Sequence, residues 1–131
     1  MEFEWYILNY LGGRIDSIAR QFLWHCKSDY LHGTGHGVGY FLNVHEGPHG
    51  IGGYPNNPTL ENGMVVTNEP GFYLKDQFGI RIENLLVTLD EDPDHLKFEN
   101  VTCVPYEINL FDHKLISEDF KEFINNFHSQ V

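Results

Sequence analysis

The side chains in this sequence best suited to chemistry are two histidines, His32 and His36, and two glutamates, Glu69 and Glu83. Imidazole offers a nitrogen lone pair or a proton near neutral pH, and carboxylate a hard anionic oxygen, so this set can hold divalent cations or move protons. The histidine spacing matches that of a zinc-binding HExxH helix. Here, however, the stretch reads HGTGHGVG, and glycine at every second position destroys helix propensity. In an extended chain four residues span about 13 Å. One metal therefore cannot easily take both histidines, and they should have separate jobs, one as a ligand and the other as a substrate contact. Glu69 closes one predicted strand, and Glu83 alternates with Arg81 on the polar face of the next. If those strands pair antiparallel, both carboxylates can face the same cleft as His36, and a carboxylate set in an apolar strand needs a cation beside it. Spacing alone equally allows an Arg81–Glu83 surface pair, with Glu69 as an ordinary turn residue.

The elements that must position these residues follow from periodicity. Ile15, Ile18, Ala19, Phe22 and Leu23 recur at helical spacing and predict a helix from Arg14 to Lys27 with one buried stripe, entered by a turn at Gly12-Gly13. The glycine run from His32 to Gly39 predicts an extended segment with one bare face that another backbone or a ligand approaches closely. Gly47 to Glu61, rich in Gly, Pro and Asn, predicts a loop. Strands are predicted over Met64–Thr67, Phe72–Leu74, Gly79–Leu89 and Leu96–Tyr106. Ser117 should cap a terminal helix whose apolar face is Phe120, Phe123, Ile124 and Phe127. His25, His49, His95, His113 and His128 have no matching partners and are read as packing or surface residues.

Composition narrows the class. The 131 residues suit one domain, and 41% apolar with 15% aromatic residues is enough for a packed core. A net charge of −11 disfavours a nucleic-acid partner. No apolar run approaches the roughly 20 residues of a membrane span, and the acidic start MEFEWYILNY does not read as a secretory signal. Cys26 and Cys103 form no CxxC pattern and suit a reducing cytoplasm. The glycine run follows a helix and lacks a GKS/T ending, which makes a phosphate-loop reading weak, and no serine or cysteine sits in a nucleophile elbow.

With these residues in view, the sequence resembles the Xaa-Pro aminopeptidases among the pita-bread metallopeptidases. The matching segments are IDSIAR at Ile15–Arg20, LHGTGHGVG at Leu31–Gly39, NVHEGP at Asn43–Pro48, ENGMVVTNEPGFY at Glu61–Tyr73 and GIRIEN at Gly79–Asn84. The resemblance implies an α+β fold, the C-terminal half of a pita-bread domain with a mostly antiparallel curved sheet and covering helices, over residues 1–94. Residues 95–131 would begin the C-terminal, dimerisation-type domain of the larger members, which leaves room for a homodimer. It further implies that His36 and Glu69 ligate one metal and that Glu83 bridges two. His45 would contact the substrate carbonyl or the proline nitrogen, His32 would line the proline pocket, and Arg81 would support the bridging carboxylate. The two divalent ions would be manganese, with zinc or cobalt as substitutes. A hydroxide between them would attack the scissile carbonyl while Glu69 takes its proton, releasing the N-terminal residue from peptides with proline second.

The resemblance also implies two aspartate ligands upstream of the IDSIAR helix, and this sequence does not contain them. Asp16 matches a helix aspartate that is not a ligand. The expectation is therefore a truncated piece that binds metal weakly and hydrolyses little alone. Two other readings compete: a non-catalytic peptide-binding module of the same fold, and another pita-bread peptidase such as prolidase. Intact His36, Glu69 and Glu83 argue against the first, and the extra C-terminal segment against the second.

Overall fold

The computed structural model describes residues 7–8, 11–53 and 57–131. The start MEFEWYILNY lies outside the described residues except for Ile7 and Leu8. The chain divides into two compact units, Trp5–Val101 and a second that includes Thr102–Val131.

In the first unit the order is β1 (Ile7–Leu8), α1 (Gly12–His25), β2 (Gly35–His36), β3 (Gly50–Ile51), β4 (Val65–Asn68), β5 (Gly71–Leu74), β6 (Phe78–Arg81), β7 (Asn84–Asp92) and β8 (His95–Asn100). All named strand pairings are antiparallel. The main sheet runs β1-β8-β7-β4, and β2-β3 and β5-β6 form two small ribbons. Ile51, Leu60, Val66 and Leu96 are the buried centre, with Ile15, Met64, Leu86 and Phe98 packed around them.

Several elements differ from the sequence expectation, each for a visible reason. The Gly12-Gly13 pair is the first turn of α1, where a Cβ on Gly12 would lie 1.9 Å from the carbonyl oxygen of Gly50. The helix ends at His25 because Lys27 turns left-handed (φ 56°), returning Ser28 N–H to the Leu23 carbonyl. Its apolar stripe is not buried as a whole. Ile15 reaches the core, while Ile18 and Phe22 are exposed, and the most buried side chain on α1 is Asp16. The predicted loop 47–61 holds β3, whose Ile51 is core, because side-chain-free Gly50 lets β3 lie against β2. The predicted Gly79–Leu89 strand is two strands broken at Ile82-Glu83, and Ile80 and Ile82 are about half exposed. The last strand stops at Asn100, ahead of Pro105, which cannot donate to a ladder.

A polar cluster fastens α1 to the glycine run. Asp16 accepts from Arg20 Nε at 2.8 Å and from Thr34 Oγ1 at 2.6 Å, and Thr34 is hydrogen-bonded to Tyr30 OH. Arg20 also donates to Asp29 and to the carbonyls of Tyr30 and His32, the last two both at 2.6 Å, and lies over the Tyr30 ring. Burial opposes the guanidinium charge, but hydrogen bonds to Asp16 and Asp29 outweigh it and hold the Arg20 pKa above its ordinary value. One arginine thus fixes the backbone on both sides of Leu31 and aims His32. In the second unit, Ser117 caps α2 (Glu118–His128) by accepting from Phe120 N–H, and Ile124 and Phe127 form its buried face.

Removing Asp16 takes a buried acceptor from both Arg20 Nε and the Thr34 hydroxyl, while Asp29 still pairs the guanidinium. Asp16→Ala should lower the unfolding free energy by about 2 kcal/mol in urea titration, and a loss below about 0.5 kcal/mol would contradict the clamp. Hydrogen bonds from the Trp24 indole and from Arg20 hold the Asp29 carboxyl below its ordinary range. Its stabilising contribution is complete above the unfolded-state value near about pH 4 and disappears as pH falls through the lower folded value. Asp29→Asn should therefore lower stability at neutral pH and flatten the acid limb, with the two stability curves converging at low pH.

Candidate active site

The hairpin β5-β6 continues the register of β4-β7. Asn68 faces Asn84 and Gly71 faces Arg81, so Glu69-Pro70 lies across from Ile82-Glu83, with Glu69 opposite Glu83. Pro70 has no N–H for a ladder, so the pairing lapses here and the two carboxylates occupy the gap. Glu69 is buried (9% exposed), whereas Glu83 is exposed. Arg81 spans them, with Nη1 3.6 Å from Glu69 Oε2 and Nη2 3.2 Å from Glu83 Oε2. Glu83 first, then Glu69, raises the Arg81 pKa above its ordinary value.

The glycine run passes on the other side of Glu69. A Cβ on Gly35 would lie 1.8 Å from the Thr67 carbonyl oxygen, and one on Gly37 would lie 2.0 Å from that of Glu46. The bare face therefore receives neighbouring backbone. This close approach places His36 Nε2 3.2 Å from Glu69 Oε1. His36 Nδ1 lies 2.9 Å from the Gly37 carbonyl, which can only accept, so Nδ1 carries the proton. Nε2 of the neutral ring is then a lone pair facing a carboxylate oxygen, and two acceptors at this distance require a cation, either a proton or a metal, to hold them. The His45 ring lies against His36, with centroids 4.2 Å apart. His32 points elsewhere. Its Nδ1 is bonded to the Gly33 carbonyl and its Nε2 to Tyr73 OH at 2.7 Å.

His32, Gly33, Gly35, His36, His45, Glu69 and Arg81 line one open cleft of about 310 Å³. The structure thus brings together five of the six side chains singled out in the sequence. The sixth, Glu83, is tied to the cleft through Arg81 and does not line it. Its place is the break between strands, not the interior of one, and it pairs with Arg81 at the surface while Glu69 is buried beside His36. Among the described residues no three His, Cys, Asp or Glu side chains stand close enough to hold an ion. The donors present are nonetheless of the right kind: one oriented imidazole nitrogen, one adjoining buried carboxylate, and a second carboxylate held by a cationic side chain at the same spot.

Sequence reasoning assigned no role to Tyr73, which binds His32, or to Thr67, whose hydroxyl touches both His36 and Glu69. Thr67 stands two residues before Glu69, on the same face by strand alternation, and that offset is the signal that could have found it. Three of the histidines read as bystanders have structural partners. His49 Nε2 meets the Val65 carbonyl, His95 pairs with Asp92, and His128 accepts from Tyr106 N–H.

The model of metallopeptidase family M24 matches residues 9–90, and the C-terminal region of peptidase M24 matches residues 94–131. The chain belongs to metallopeptidase family M24. A Xaa-Pro aminopeptidase P of Pyrenophora teres is 50% identical over 129 residues, covering 92% of this chain and 20% of the relative. An X-prolyl aminopeptidase from Caenorhabditis elegans, described as cytosolic with a di-nuclear active site, superposes with a TM-score of 0.88 at 39% identity. That match covers 97% of this chain and 22% of the other. The prolidase of Pyrococcus furiosus reaches a TM-score of 0.60 at 33% identity and covers 72% of this chain and 27% of its own. The expected α+β, pita-bread architecture is therefore the fold of this M24 chain, which spans about a fifth of the length of the Xaa-Pro aminopeptidases it matches. Among the described residues no helix is long and apolar enough to cross a membrane.

The tautomer of His36 is directly observable. Long-range ¹H–¹⁵N spectra of the neutral ring should show Nδ1 protonated, and a neutral ring protonated at Nε2 would contradict the geometry.

Proposed function

We propose that this chain supplies the histidine-and-glutamate side of a two-metal peptidase site that releases the N-terminal residue from peptides with proline in second position. The observation that carries the reading is the meeting of His36 Nε2 with Glu69 Oε1, two acceptors 3.2 Å apart at the floor of an open cleft. The family match and the names of the relatives support the same chemistry.

His36 and Glu69 would hold one divalent ion and Glu83 would reach a second, with manganese the suited metal and zinc or cobalt as substitutes. Bound there, the ions would supply Lewis acidity and a nucleophile at neutral pH. The side chains do the rest. Glu69 accepts the proton of the attacking water, and His45, exposed at the cleft rim, donates to the substrate carbonyl or the departing proline nitrogen. His32, fixed by Tyr73 and by the Arg20 clamp on its carbonyl, walls the pocket that receives the proline ring. Arg81 keeps the two glutamates from repelling one another and orients Glu83. Residues 95–131 would begin a dimerisation-type domain, a role supported by the match to the M24 C-terminal region. Cys26 and Cys103, which form no disulfide, suit a cytoplasmic setting.

Paramagnetic manganese added to the labelled chain tests the metal reading. Signals of His36, His45 and Glu69 should broaden first, and Glu83→Gln should weaken that effect by at least about tenfold. Broadening confined to the acidic stretch 90–94 would sink it.

A further inference from the structure

We propose that Thr67 is the positioning residue that sets both His36 and Glu69 toward a cation, by committing its single hydroxyl proton to Glu69. The inference rests on the metal reading given above. Thr67 lies on β4, opposite Leu85, and is 3% exposed, so no bulk water competes for its hydroxyl. The His36 backbone N–H lies 3.0 Å from Thr67 Oγ1. An N–H can only donate, so it occupies an acceptor site on Oγ1. The hydroxyl has one proton of its own, and Glu69 Oε1 lies 2.9 Å away as its acceptor. The direction of the chain is therefore forced, from His36 N–H to Thr67 to Glu69.

Two consequences follow for the site. The oxygen that receives the threonine proton is the same Oε1 that faces His36 Nε2, so one hydroxyl fixes which carboxylate oxygen meets the imidazole. The residue carrying that imidazole is itself tied by its N–H to the same hydroxyl. Carboxylate and imidazole are thus located from one atom, and their separation does not depend on the independent wandering of two strands. Gly35 makes the arrangement reachable, because any side chain there would collide with the Thr67 carbonyl and hold β2 away from β4. The backbone of Glu69 is pinned from the same direction, its N–H donating to the Thr34 carbonyl at 2.7 Å. The chain Asp16–Thr34–Glu69–Thr67–His36 thus links the buried clamp of α1 to the cleft.

Thr67→Val keeps the shape and β-branching and deletes the hydroxyl, whereas Thr67→Ser keeps the hydroxyl and deletes the methyl. Two measurements on the 131-residue chain separate the possibilities: hydrogen exchange at the His36 amide and affinity for Mn²⁺ by calorimetry. In Thr67→Val the His36 amide should exchange about tenfold faster, and Mn²⁺ affinity should fall by about 10- to 100-fold. Thr67→Ser should stay within about threefold of the parent in both, the loss of a methyl alone costing little at this contact. Unchanged exchange and affinity in Thr67→Val would overturn the proposal. So would a Thr67→Ser chain as impaired as Thr67→Val, because the methyl and not the hydroxyl would then be what matters. A parent chain that binds no Mn²⁺ at His36 and Glu69 would refute the metal reading itself, while the exchange data would still decide whether Thr67 fixes the two donors.

Discussion

Two carboxylates face one another across a hairpin whose ladder lapses between them, and one of the two is buried. Like charges opposed across strands repel, and a buried carboxylate without a counter-ion is costly. The structure meets the first demand with Arg81, which spans the pair, and leaves the second partly open, because His36 presents a ring nitrogen to the buried partner across a gap that only a cation can close. Nearly everything else in the first unit can be read as the means of keeping these groups together. The Pro70 gap frees the glutamates from the ladder, and the glycine run lets a third segment come close enough for an imidazole to reach.

That closeness comes from backbone contact more than from side-chain packing. Gly12, Gly35 and Gly37 each sit where a Cβ would overlap a carbonyl oxygen of another segment. Around them polar side chains replace a conventional core. Asp16, Thr34 and Thr67 are buried and hydrogen-bonded to one another's segments, and no buried side-chain polar atom among the described residues lacks a partner. A buried network of this kind is stiff when fully satisfied and costly when one member is lost. Such a network suits a site whose donors must stay in place before any ion arrives.

Much of the site could be read from residue types. Alternating glycines forbade the HExxH helix and separated the tasks of His32 and His36, and the structure places His32 on Tyr73 and His36 on Glu69. The pairing that sets Glu69 opposite Glu83 followed from assuming two antiparallel strands. The interruption at Ile82-Glu83 did not, because alternation of Ile80, Arg81, Ile82 and Glu83 continues smoothly through it. The apolar stripe of α1 was legible as a pattern, but a pattern does not say what covers it, and Ile18 and Phe22 are exposed in this chain. The burial of Ile51 was hidden in a stretch rich in glycine and proline, where the usual signals spell loop. Thr67 and Tyr73 act through single atoms on partners 31 and 41 residues away, and no local periodicity records that.

The most direct test of the central claim, that the His36–Glu69–Glu83 arrangement is built around a cation, is anomalous diffraction from crystals of the chain grown with manganese. The account predicts a metal peak bonded to His36 Nε2 and Glu69, with the Arg81 guanidinium displaced from Glu69 and still holding Glu83. An empty cleft with Arg81 still spanning Glu69 and Glu83 would contradict it, and would leave arginine as the only cation this arrangement was made to hold.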